Sequence, residues 1–261
     1  MTLNVWNTQG PVEARMRHLV RKLPTIAPDI VLLQEVRRGD QIDQAATLAA
    51  AIDATIVFDA VDADSPGGAV GNAILSRLPV RAHESAALPS PPGDPRRILC
   101  AAIDTPSGRV AIGTTHLSWE LDAAITRERQ AVAADRFMRD FPSDLPRMWG
   151  GDFNCAPDAE VVRFLTGRCS LEGQATYWRD AFARRHPHAD GWTWCRRNPF
   201  VGRHIEPDRR IDFIFAGISH QSKGREGGAG TVVDARVALD EPDENGVFSS
   251  DHFAVVVDVA L

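Results

Sequence analysis

The sequence predicts an α/β fold in which two mixed β-sheets pack face to face and helices cover the outside. Short apolar runs alternate with amphipathic helical segments early in the chain, and hairpin-like pairs of runs follow later. The run at 30–33, Ile-Val-Leu-Leu, is apolar on both alternating faces, which indicates a sheet that is covered on both sides. Together these observations predict two covered sheets with helices on their outer faces.

The apolar runs are the predicted strands of these sheets. The residues Thr-Pro-Ser-Gly at 105–108 lie between two runs and have the chemistry of a hairpin turn. In chain order, the predicted strands are 3–6, 29–33, 55–58, 73–75, 98–103, 110–114, 211–215 and 253–259.

Three segments between the strands have the spacing of amphipathic helices. Segments 12–23 and 41–52 repeat apolar residues every three or four positions, which places those residues on one face of a helix. The longest segment, 121–141, carries apolar residues among many charges. Pro24 and Pro142 follow the first and third segments, and we expect them to end these helices.

Composition is that of a globular enzyme. The 261 residues include 44% hydrophobic and 25% charged residues, and the Pro/Gly-rich stretches are short enough to be loops, so we expect one domain over residues 1–261. The net charge of -6 argues against a broadly basic surface that coats nucleic acid. A local basic groove, or metal ions in an acidic site, can still bring a polyanion to such a protein.

The cysteines and the apolar runs predict the compartment. The four cysteines show no zinc-like spacing, and we expect reduced, structural thiols rather than disulfides. The N-terminal run lacks the flanks of a signal peptide, and no apolar stretch approaches the ~20 residues that a membrane span needs. We therefore expect a cytoplasmic monomer with no membrane partner.

Polar side chains of a few types recur at the ends of the predicted strands. Buried carboxylates are costly unless they are paired or bound to a cation, and open α/β sheets build sites at strand ends, so this pattern predicts a functional site. Asp152 and Asn154 are two residues apart, which would place them on one strand face, and the preceding Gly-Gly leaves space for a ligand. The set is Asn7, Glu35, His116, Asp152, Asn154, Asp212, Asp251 and His252.

Most of these residues, taken one at a time, also have a structural explanation. Asn7 alone fits a helix cap or turn, and Asp251 alone fits a turn before a strand. Glu35 alone fits a surface ion pair, and His116 alone fits a hydrogen-bonded histidine of the fold. The functional hypothesis depends on the whole set in its order along the chain.

In that order the motifs resemble the endonuclease/exonuclease/phosphatase superfamily. The resemblance covers nearly the whole chain, and it implies a four-layered α/β sandwich, in agreement with the strand and helix pattern. It also implies a hydrolase or nuclease that depends on a divalent metal and cleaves a phosphoester by direct attack of water. The matching segments are Trp-Asn at 6–7, Leu-Gln-Glu-Val at 33–36, Gly-Asn-Ala-Ile-Leu-Ser-Arg at 71–77, Thr-His-Leu at 115–117, Gly-Asp-Phe-Asn at 151–154, Arg-Ile-Asp-Phe-Ile-Phe at 210–215 and Ser-Asp-His-Phe at 250–253.

The resemblance implies how the metal and the attacking water are held. Glu35 would be the principal ligand of Mg²⁺, with Mn²⁺ as a substitute, because hard cations prefer oxygen ligands. Asn7 and Asp251 would assist, directly or through water. Asp152 would orient and deprotonate the attacking water, so that no covalent enzyme intermediate is required.

The resemblance further implies the contacts to the phosphate. Asn154 and His116 would donate hydrogen bonds to it, and His252 would contact a non-bridging oxygen as a cation. Asp212 would favour that cation by its opposite charge. Asn72 is a candidate for a further substrate contact, with a structural turn role as the alternative. The motifs do not identify an acidic partner for His116.

Substrate identity is the least determined property. Trp119, Trp194 and Arg197 are candidate substrate-binding residues, since aromatic and arginine side chains can stack on bases and pair with phosphates, although tryptophans also seal cores. The first hypothesis is a phosphodiesterase acting on nucleic acid or a nucleotide. The alternatives are a phosphomonoesterase or phosphodiesterase acting on a small metabolite or lipid headgroup, and a non-catalytic binding module.

Overall fold

Two mixed six-stranded sheets form the centre of the structure, a computed structural model that describes residues 1–202, 206–218 and 228–261. The first sheet contains β1 (Thr2–Asn4), β2 (Ile30–Arg38), β3 (Thr55–Asp62), β4 (Ala69–Ser76), β11 (Thr231–Ala238) and β12 (Ala254–Ala260). Its order is β11-β12-β1-β2-β4-β3. Only β1 and β2 are parallel neighbours among these strands.

The second sheet contains the later hairpins. Its strands are β5 (Val80–Leu88), β6 (Arg96–Thr105), β7 (Gly108–His116), β8 (Met148–Asp152), β9 (Arg179–Asp180) and β10 (Asp212–Ala216), in the order β5-β6-β7-β8-β10-β9. Strands β7 and β8 are parallel, and Thr105 pairs with Gly108 across the tight turn between β6 and β7. The predicted hairpin at 105–108 is confirmed.

Five helices accompany the sheets in the described residues: α1 (Val12–Ile26), α2 (Gln44–Ile52), α3 (Ala124–Asp140), α4 (Glu160–Leu165) and α5 (Ala181–Arg185). The predicted stop at Pro24 is wrong, because Pro24 lies inside α1 and the helix continues to Ile26. A proline in the last turn removes only one of the remaining backbone bonds. The predicted stop at Pro142 is confirmed, since α3 ends at Asp140.

The cores lie between the sheets and on their outer faces. Leu32 and Ile74 of the first sheet pack with Leu99 and Ile112 of the second, so the two sheets face each other across apolar side chains. The outer face of the first sheet packs against α1 and α2, and that of the second against α3 and α4. This arrangement confirms the predicted α/β sandwich with helices outside.

Strand direction brings several polar residues to one edge of the sandwich. The parallel pair β1 and β2 places Asn4 beside Gln34, directly before Glu35. The parallel pair β7 and β8 places His116 beside Asp152, and the antiparallel neighbour β10 places Asp212 on the other side of Asp152. Strand ends from both sheets therefore meet at the same edge, where α/β sheets commonly hold ligands.

Candidate active site

A cavity of about 520 Å³ opens at this edge. Eleven of the twelve site residues predicted from the sequence either line it or support its wall; Asp212 is the supporting residue, and it lies behind His252. The residues that line it are Asn7, Glu35, Asn72, His116, Trp119, Asp152, Asn154, Trp194, Asp251 and His252.

The carboxylate of Asp152 lies at the wall of the cavity among several polar groups. Its Oδ2 accepts from Asn4 Nδ2 at 3.0 Å and lies 3.4 Å from His116 Nε2 and 3.7 Å from His252 Nε2. Its Oδ1 accepts from the backbone N–H of Asn154 at 2.9 Å. Burial raises the pKa of Asp152 to about 7, against the lowering effect of the His252 charge. A carboxylate whose pKa lies near neutrality is suited to take a proton from water.

Asn4 is a site residue that the sequence analysis missed. Its Nδ2 donates to Glu35 Oε1 at 2.9 Å and to Asp152 Oδ2 at 3.0 Å, so one amide connects two carboxylates. The Asn4 carbonyl accepts from Ser250 Oγ at 2.7 Å, which ties β1 to the segment before β12. The sequence did contain a signal, because Asn4 is a polar residue between the apolar Leu3 and Val5.

The loop after β1 carries Asn7 at the cavity and holds a strained backbone. Trp6 and Asn7 have φ angles of 56° and 41°, in the left-handed region that favours glycine. The side-chain oxygen of Asn7 accepts from Arg37 Nε at 2.9 Å. The buried guanidinium of Arg15 donates to the carbonyls of Trp6 and Asn7 at 3.2 and 3.0 Å and to that of Gln9 at 2.8 Å. These bonds fix the loop conformation.

The two histidines of the site have opposite electrostatic environments. His252 Nδ1 lies 2.9 Å from Asp212 Oδ2. Burial alone would lower the pKa of His252, but the surrounding carboxylates, Asp212 first, raise it well above its usual value. Burial lowers the pKa of His116 well below its usual value, and the charge of Arg96 adds to this effect. His252 is therefore a cation and His116 a neutral imidazole near pH 7.

Two carboxylates of the cavity provide a fitting oxygen-donor set for a divalent cation. Burial raises the pKa of Asp251 to about 6, and the Glu35 carboxylate adds to this rise. Ser250 Oγ donates to Asp251 Oδ1 at 3.1 Å, which orients that carboxylate. Mutually repelling carboxylates with oxygen-only donors suit Mg²⁺ or Mn²⁺.

A second group of ligand atoms competes with this set. Asp152, Asp212 and His252 have potential ligand atoms within 4.8 Å of one another. However, His252 Nδ1 and Asp212 Oδ2 already form a hydrogen bond with each other. Because that bond occupies one ligand atom of each partner, Glu35 and Asp251 are the better metal candidates. Asp212 Oδ1 is buried and has no hydrogen-bond partner among the residues that the structure describes.

The segment around Asp152 differs from the sequence-based expectation. Strand β8 ends at Asp152, and Asn154 has a φ of 49°, so the two side chains reach the cavity from different local structures rather than from one strand face. The two preceding glycines do not line the cavity. A Cβ atom on Gly151 would lie 1.9 Å from the Thr115 carbonyl oxygen, and one on Gly150 would lie 2.9 Å from Leu32 Cδ1. The glycines therefore allow neighbouring strands and the facing sheet to approach, not a ligand.

The predicted substrate-binding residues have different environments. Trp119 is 62% exposed at the cavity rim, whereas Trp194 is 8% exposed and packs with Val201 and Ile211. Asn72 is buried and donates from Nδ2 to the Arg97 carbonyl at 3.2 Å. Of the predicted substrate-binding residues, Trp119 alone therefore presents a large exposed aromatic face at the cavity.

Arg197 is the one predicted site residue that the structure places away from the cavity. Its Nη2 donates to Asp240 Oδ2 at 2.9 Å, and its guanidinium lies over the Phe253 ring. Arg209 lines the cavity instead, with its guanidinium over the Trp194 ring and an ion pair to Glu206.

The cysteines offer no nucleophile at the site. All four are free thiols in the structure. Cys155, directly after Asn154, is buried, and burial raises the pKa of its thiol to about 12. It is therefore a protonated thiol at neutral pH and not a reactive thiolate.

Comparisons with known proteins agree with this geometry. The sequence model of the Endonuclease/Exonuclease/phosphatase family matches residues 1–252. Searching curated proteins found no match. No helix in the described part of the chain has the length and apolar character to cross a membrane.

Solved structures share the fold at low sequence identity. TDP2 of D. rerio, complexed with a single strand DNA product, has a TM-score of 0.78 and 19% identity, over 100% of this chain and 97% of its own. An endonuclease/exonuclease/phosphatase from Beutenbergia cavernae has a TM-score of 0.72 and 24% identity, over 100% of this chain and 70% of its own. Another from Bacteroides vulgatus has a TM-score of 0.74 and 17% identity, over 100% and 96%.

Proposed function

Because this chain belongs to the endonuclease/exonuclease/phosphatase family of metal-dependent phosphoester hydrolases, we propose that it is a magnesium-dependent phosphodiesterase acting on nucleic acid or a nucleotide. One observation carries the proposal: two metal-suited carboxylates, a buried Asp152 and the His252–Asp212 pair meet in one cavity. The single strand DNA product in the similar D. rerio TDP2 structure supports a nucleic-acid substrate. Residues 1–261 would act as one domain, and the free cysteines support a cytoplasmic location.

Glu35 and Asp251 are the proposed ligands of the divalent cation. When bound, the cation neutralises charge on the phosphate and polarises it as a Lewis acid. Asn4 holds Glu35 by its amide, and Ser250 holds Asp251 by its hydroxyl. Asn7 shares the cavity with both carboxylates, but its side-chain oxygen already accepts from Arg37. We therefore propose that Asn7 contacts the cation only through a water molecule.

Asp152 is the proposed general base for the attacking water. Its Oδ1 is held by the backbone N–H of Asn154, and its Oδ2 by Asn4, so the carboxylate has a fixed orientation. A pKa of about 7 keeps a large fraction ionised near neutral pH and still gives adequate basicity. Asp152 takes one proton from water, and the water oxygen forms the new P–O bond. The leaving oxygen departs with the electron pair of the broken P–O bond and takes up a proton from solvent.

The histidines and two amides are the proposed phosphate contacts. His252 carries positive charge and stabilises a non-bridging oxygen electrostatically, with Asp212 holding the ring. His116 is neutral and donates one N–H. Asn154 uses one amide hydrogen for the Leu117 carbonyl at 3.0 Å and keeps the second for substrate. Asn72 faces the same cavity and is the further contact.

A panel of phosphoesters tests this function. Single-stranded and double-stranded oligonucleotides, a nucleotide p-nitrophenyl diester, p-nitrophenyl phosphate and a phospholipid headgroup diester would be assayed with Mg²⁺, with Mn²⁺ and with excess EDTA. We expect the nucleotide diesters to be the best substrates and EDTA to abolish turnover. Higher kcat/KM on the monoester or the headgroup would favour those substrate classes, and full activity in EDTA would refute metal dependence.

A further inference from the structure

A second cleft lies directly beside the catalytic cavity. It measures about 610 Å³, and it shares Val61 and Arg96 with the cavity, so the two spaces adjoin at these residues. The far wall is formed by Leu88 and by the loop that contains Pro91 and Pro92. We call this space the proline-loop cleft. Its lining combines apolar walls with arginine at the boundary to the catalytic cavity.

A buried hydrogen-bond network fixes the guanidinium of Arg96 at that boundary. Arg96 Nε donates to Asp94 Oδ1 at 2.7 Å, and Asp94 Oδ2 accepts from Ser118 Oγ at 2.5 Å. Gln130 Nε2 donates to the same Ser118 oxygen at 2.8 Å. Ser118 follows His116, the last residue of β7, by two positions, so the network begins directly after this strand. A guanidinium held in this way loses little side-chain entropy when it binds an anion.

The free edge of Arg96 is available to a ligand. Its side chain is only 10% exposed, and Asp94 engages Nε and Nη2. None of the residues that the structure describes accepts a hydrogen bond from Nη1. The neighbouring Arg97 also lines the cleft, with its Nε donating to Asp59 and its Nη2 to Ser85, but it does not line the catalytic cavity. Arg96 is therefore the arginine that an anion at the boundary between the two spaces would meet.

We propose that the proline-loop cleft is a binding subsite for the nucleotide next to the scissile phosphate of a polynucleotide. Arg96 binds the phosphate adjacent to the scissile one, and the sugar and base that follow pack against Leu88 and the prolines. Charge complementarity favours a phosphate at the boundary, and apolar walls favour a nucleoside beyond it. The inference rests on the proposed phosphodiesterase function. It narrows the substrate to a strand with at least two consecutive nucleotides on the side of the scissile phosphate that faces the proline-loop cleft.

Two substrates of different length test the subsite. One is a single-stranded octanucleotide, and the other is the p-nitrophenyl ester of thymidine 5′-monophosphate, which has a single diester. Arg96→Gln should lower kcat/KM on the octanucleotide by about tenfold, as for a lost charged hydrogen bond, and by a clearly smaller factor on the ester. Ala87→Phe, at an exposed position that lines the cleft, should produce the same discrimination by blocking the space. Equal losses on the two substrates would overturn the proposal.

The control removes the same charge elsewhere. Arg81 lies on β5, pairs with Asp104 and lines neither space, so Arg81→Gln should leave kcat/KM unchanged on both substrates. A parallel loss in Arg81→Gln would show a general charge effect and contradict a local subsite.

Direct binding separates failure of the subsite from failure of the proposed function. Fluorescence anisotropy of a labelled octanucleotide in excess EDTA, at several NaCl concentrations, needs no turnover. Arg96→Gln should reduce the slope of log Kd against log [NaCl] by about 0.7, the contribution of one phosphate contact on a single strand. Ala87→Phe should weaken binding with an unchanged slope. If the wild type hydrolyses neither substrate, the phosphodiesterase proposal fails; if the Arg96→Gln slope equals that of the wild type, the subsite fails.

Discussion

The side-chain amide of Asn4 donates to the Asp152 carboxylate over 3.0 Å, although the two residues are 148 positions apart. Asn4 ends β1 in the first sheet and Asp152 ends β8 in the second, so this bond crosses between the sheets at the edge where the cavity opens. The same amide donates to Glu35 at 2.9 Å. One side chain thus fixes the proposed metal ligand relative to the proposed general base.

Replacing Asn4 should impair catalysis more than replacing Asn7. Asn4→Ala removes both bonds to the carboxylates, and we expect kcat to fall by about 100-fold, as for a displaced acid–base group. The Asn4 bond lowers the pKa of Asp152, so its loss should raise that pKa and move the acidic limb of the kcat/KM profile to higher pH. Asn7→Ala keeps both bonds and should leave the acidic limb in place. Equal losses in both variants, with an unmoved limb, would contradict the assignment.

Removing the charge of Asp212 should shift the alkaline limb of activity. Asp212 raises the pKa of His252, so Asp212→Asn should lower it and depopulate the imidazolium at a lower pH than in the wild type. The alkaline limb of the kcat/KM profile should therefore move to lower pH. Asp104→Asn, at a surface carboxylate paired with Arg81, is the control and should not move it. An unmoved limb in Asp212→Asn would mean that His252 works as a neutral group.

Metal binding should depend on Glu35 and be measurable without substrate. Mg²⁺ or Mn²⁺ that binds only the folded chain raises the free energy of unfolding, by about 2.7 kcal/mol at a metal concentration of 100 Kd. We expect a rise in Tm with either metal for the wild type and none for Glu35→Gln. Glu84→Gln, at an exposed position on β5, should retain the rise. If metal raised the Tm of Glu35→Gln as much as that of the wild type, the metal would bind elsewhere.

Substitutions of two tryptophans that line the cavity should distinguish substrate recognition from packing of the core. Trp119 is 62% exposed, so Trp119→Ala should change Tm little and weaken oligonucleotide turnover by about 1–3 kcal/mol if a base stacks on it. Trp194 is buried, so Trp194→Ala should cost about 3–5 kcal/mol in the free energy of unfolding. Turnover of an oligonucleotide and of a small diester should then fall together. An oligonucleotide-specific loss in Trp194→Ala with an unchanged Tm would instead assign recognition to Trp194.

His18 should make stability depend on pH. Its side chain is buried in α1, with Nδ1 3.2 Å from Ser249 Oγ. Burial lowers its pKa below the usual 6.5, the charges of Arg21 and Lys22 act in the same direction, and Asp243 opposes them. The unfolded chain therefore takes up a proton before the folded chain does, and the free energy of unfolding should fall as pH drops below about 6.5.

Urea unfolding at pH 8 and pH 5.5 measures this contribution. We expect the free energy of unfolding to fall less between pH 8 and pH 5.5 when His18 is replaced by Gln, because glutamine cannot take up the proton. Using the difference between wild type and His18→Gln cancels the contributions of the other titrating groups. Equal pH dependence in the two proteins would show that His18 does not titrate differently on folding.

Most central strands could be predicted from the sequence, and most edge strands could not. All predicted strands are present, and most of them are central strands, which form continuous apolar runs because they are covered on both faces. Strands β5, β9 and β11 lie at sheet edges and were missed: β5 and β11 mix exposed and buried residues, and β9 has two residues. The edge strand β3 was predicted, whereas the central strand β8 was missed, because its two glycines interrupt the apolar run. The helices α4 and α5 have six and five residues, which is too short to establish a helical repeat.

The site could be predicted as a set of residue types, but its individual contacts depend on distant partners. The sequence favoured Asn7, which follows a strand, whereas the register of β1 against β2 places Asn4 beside the carboxylates. Arg197 follows an aromatic segment, yet its partner Asp240 lies 43 positions away and directs it elsewhere. Which side chain reaches the cavity depends on strand register and on ion pairs between distant residues, and the local spacing of residue types does not reveal either.

The left-handed backbone at the cavity limits how this protein can be stabilised by engineering. Trp6, Asn7, Glu35 and Asn154 all have φ angles between 41° and 56°, a conformation that costs roughly 1–2 kcal/mol for a residue with a Cβ. Glycine at any of the four would relieve the strain, but it would delete a side chain that faces the cavity. Thermostable variants should therefore be sought away from this edge, since four of the eight non-glycine residues with this backbone conformation in the described part of the chain line the cavity and cannot be spared, whereas the other four lie elsewhere.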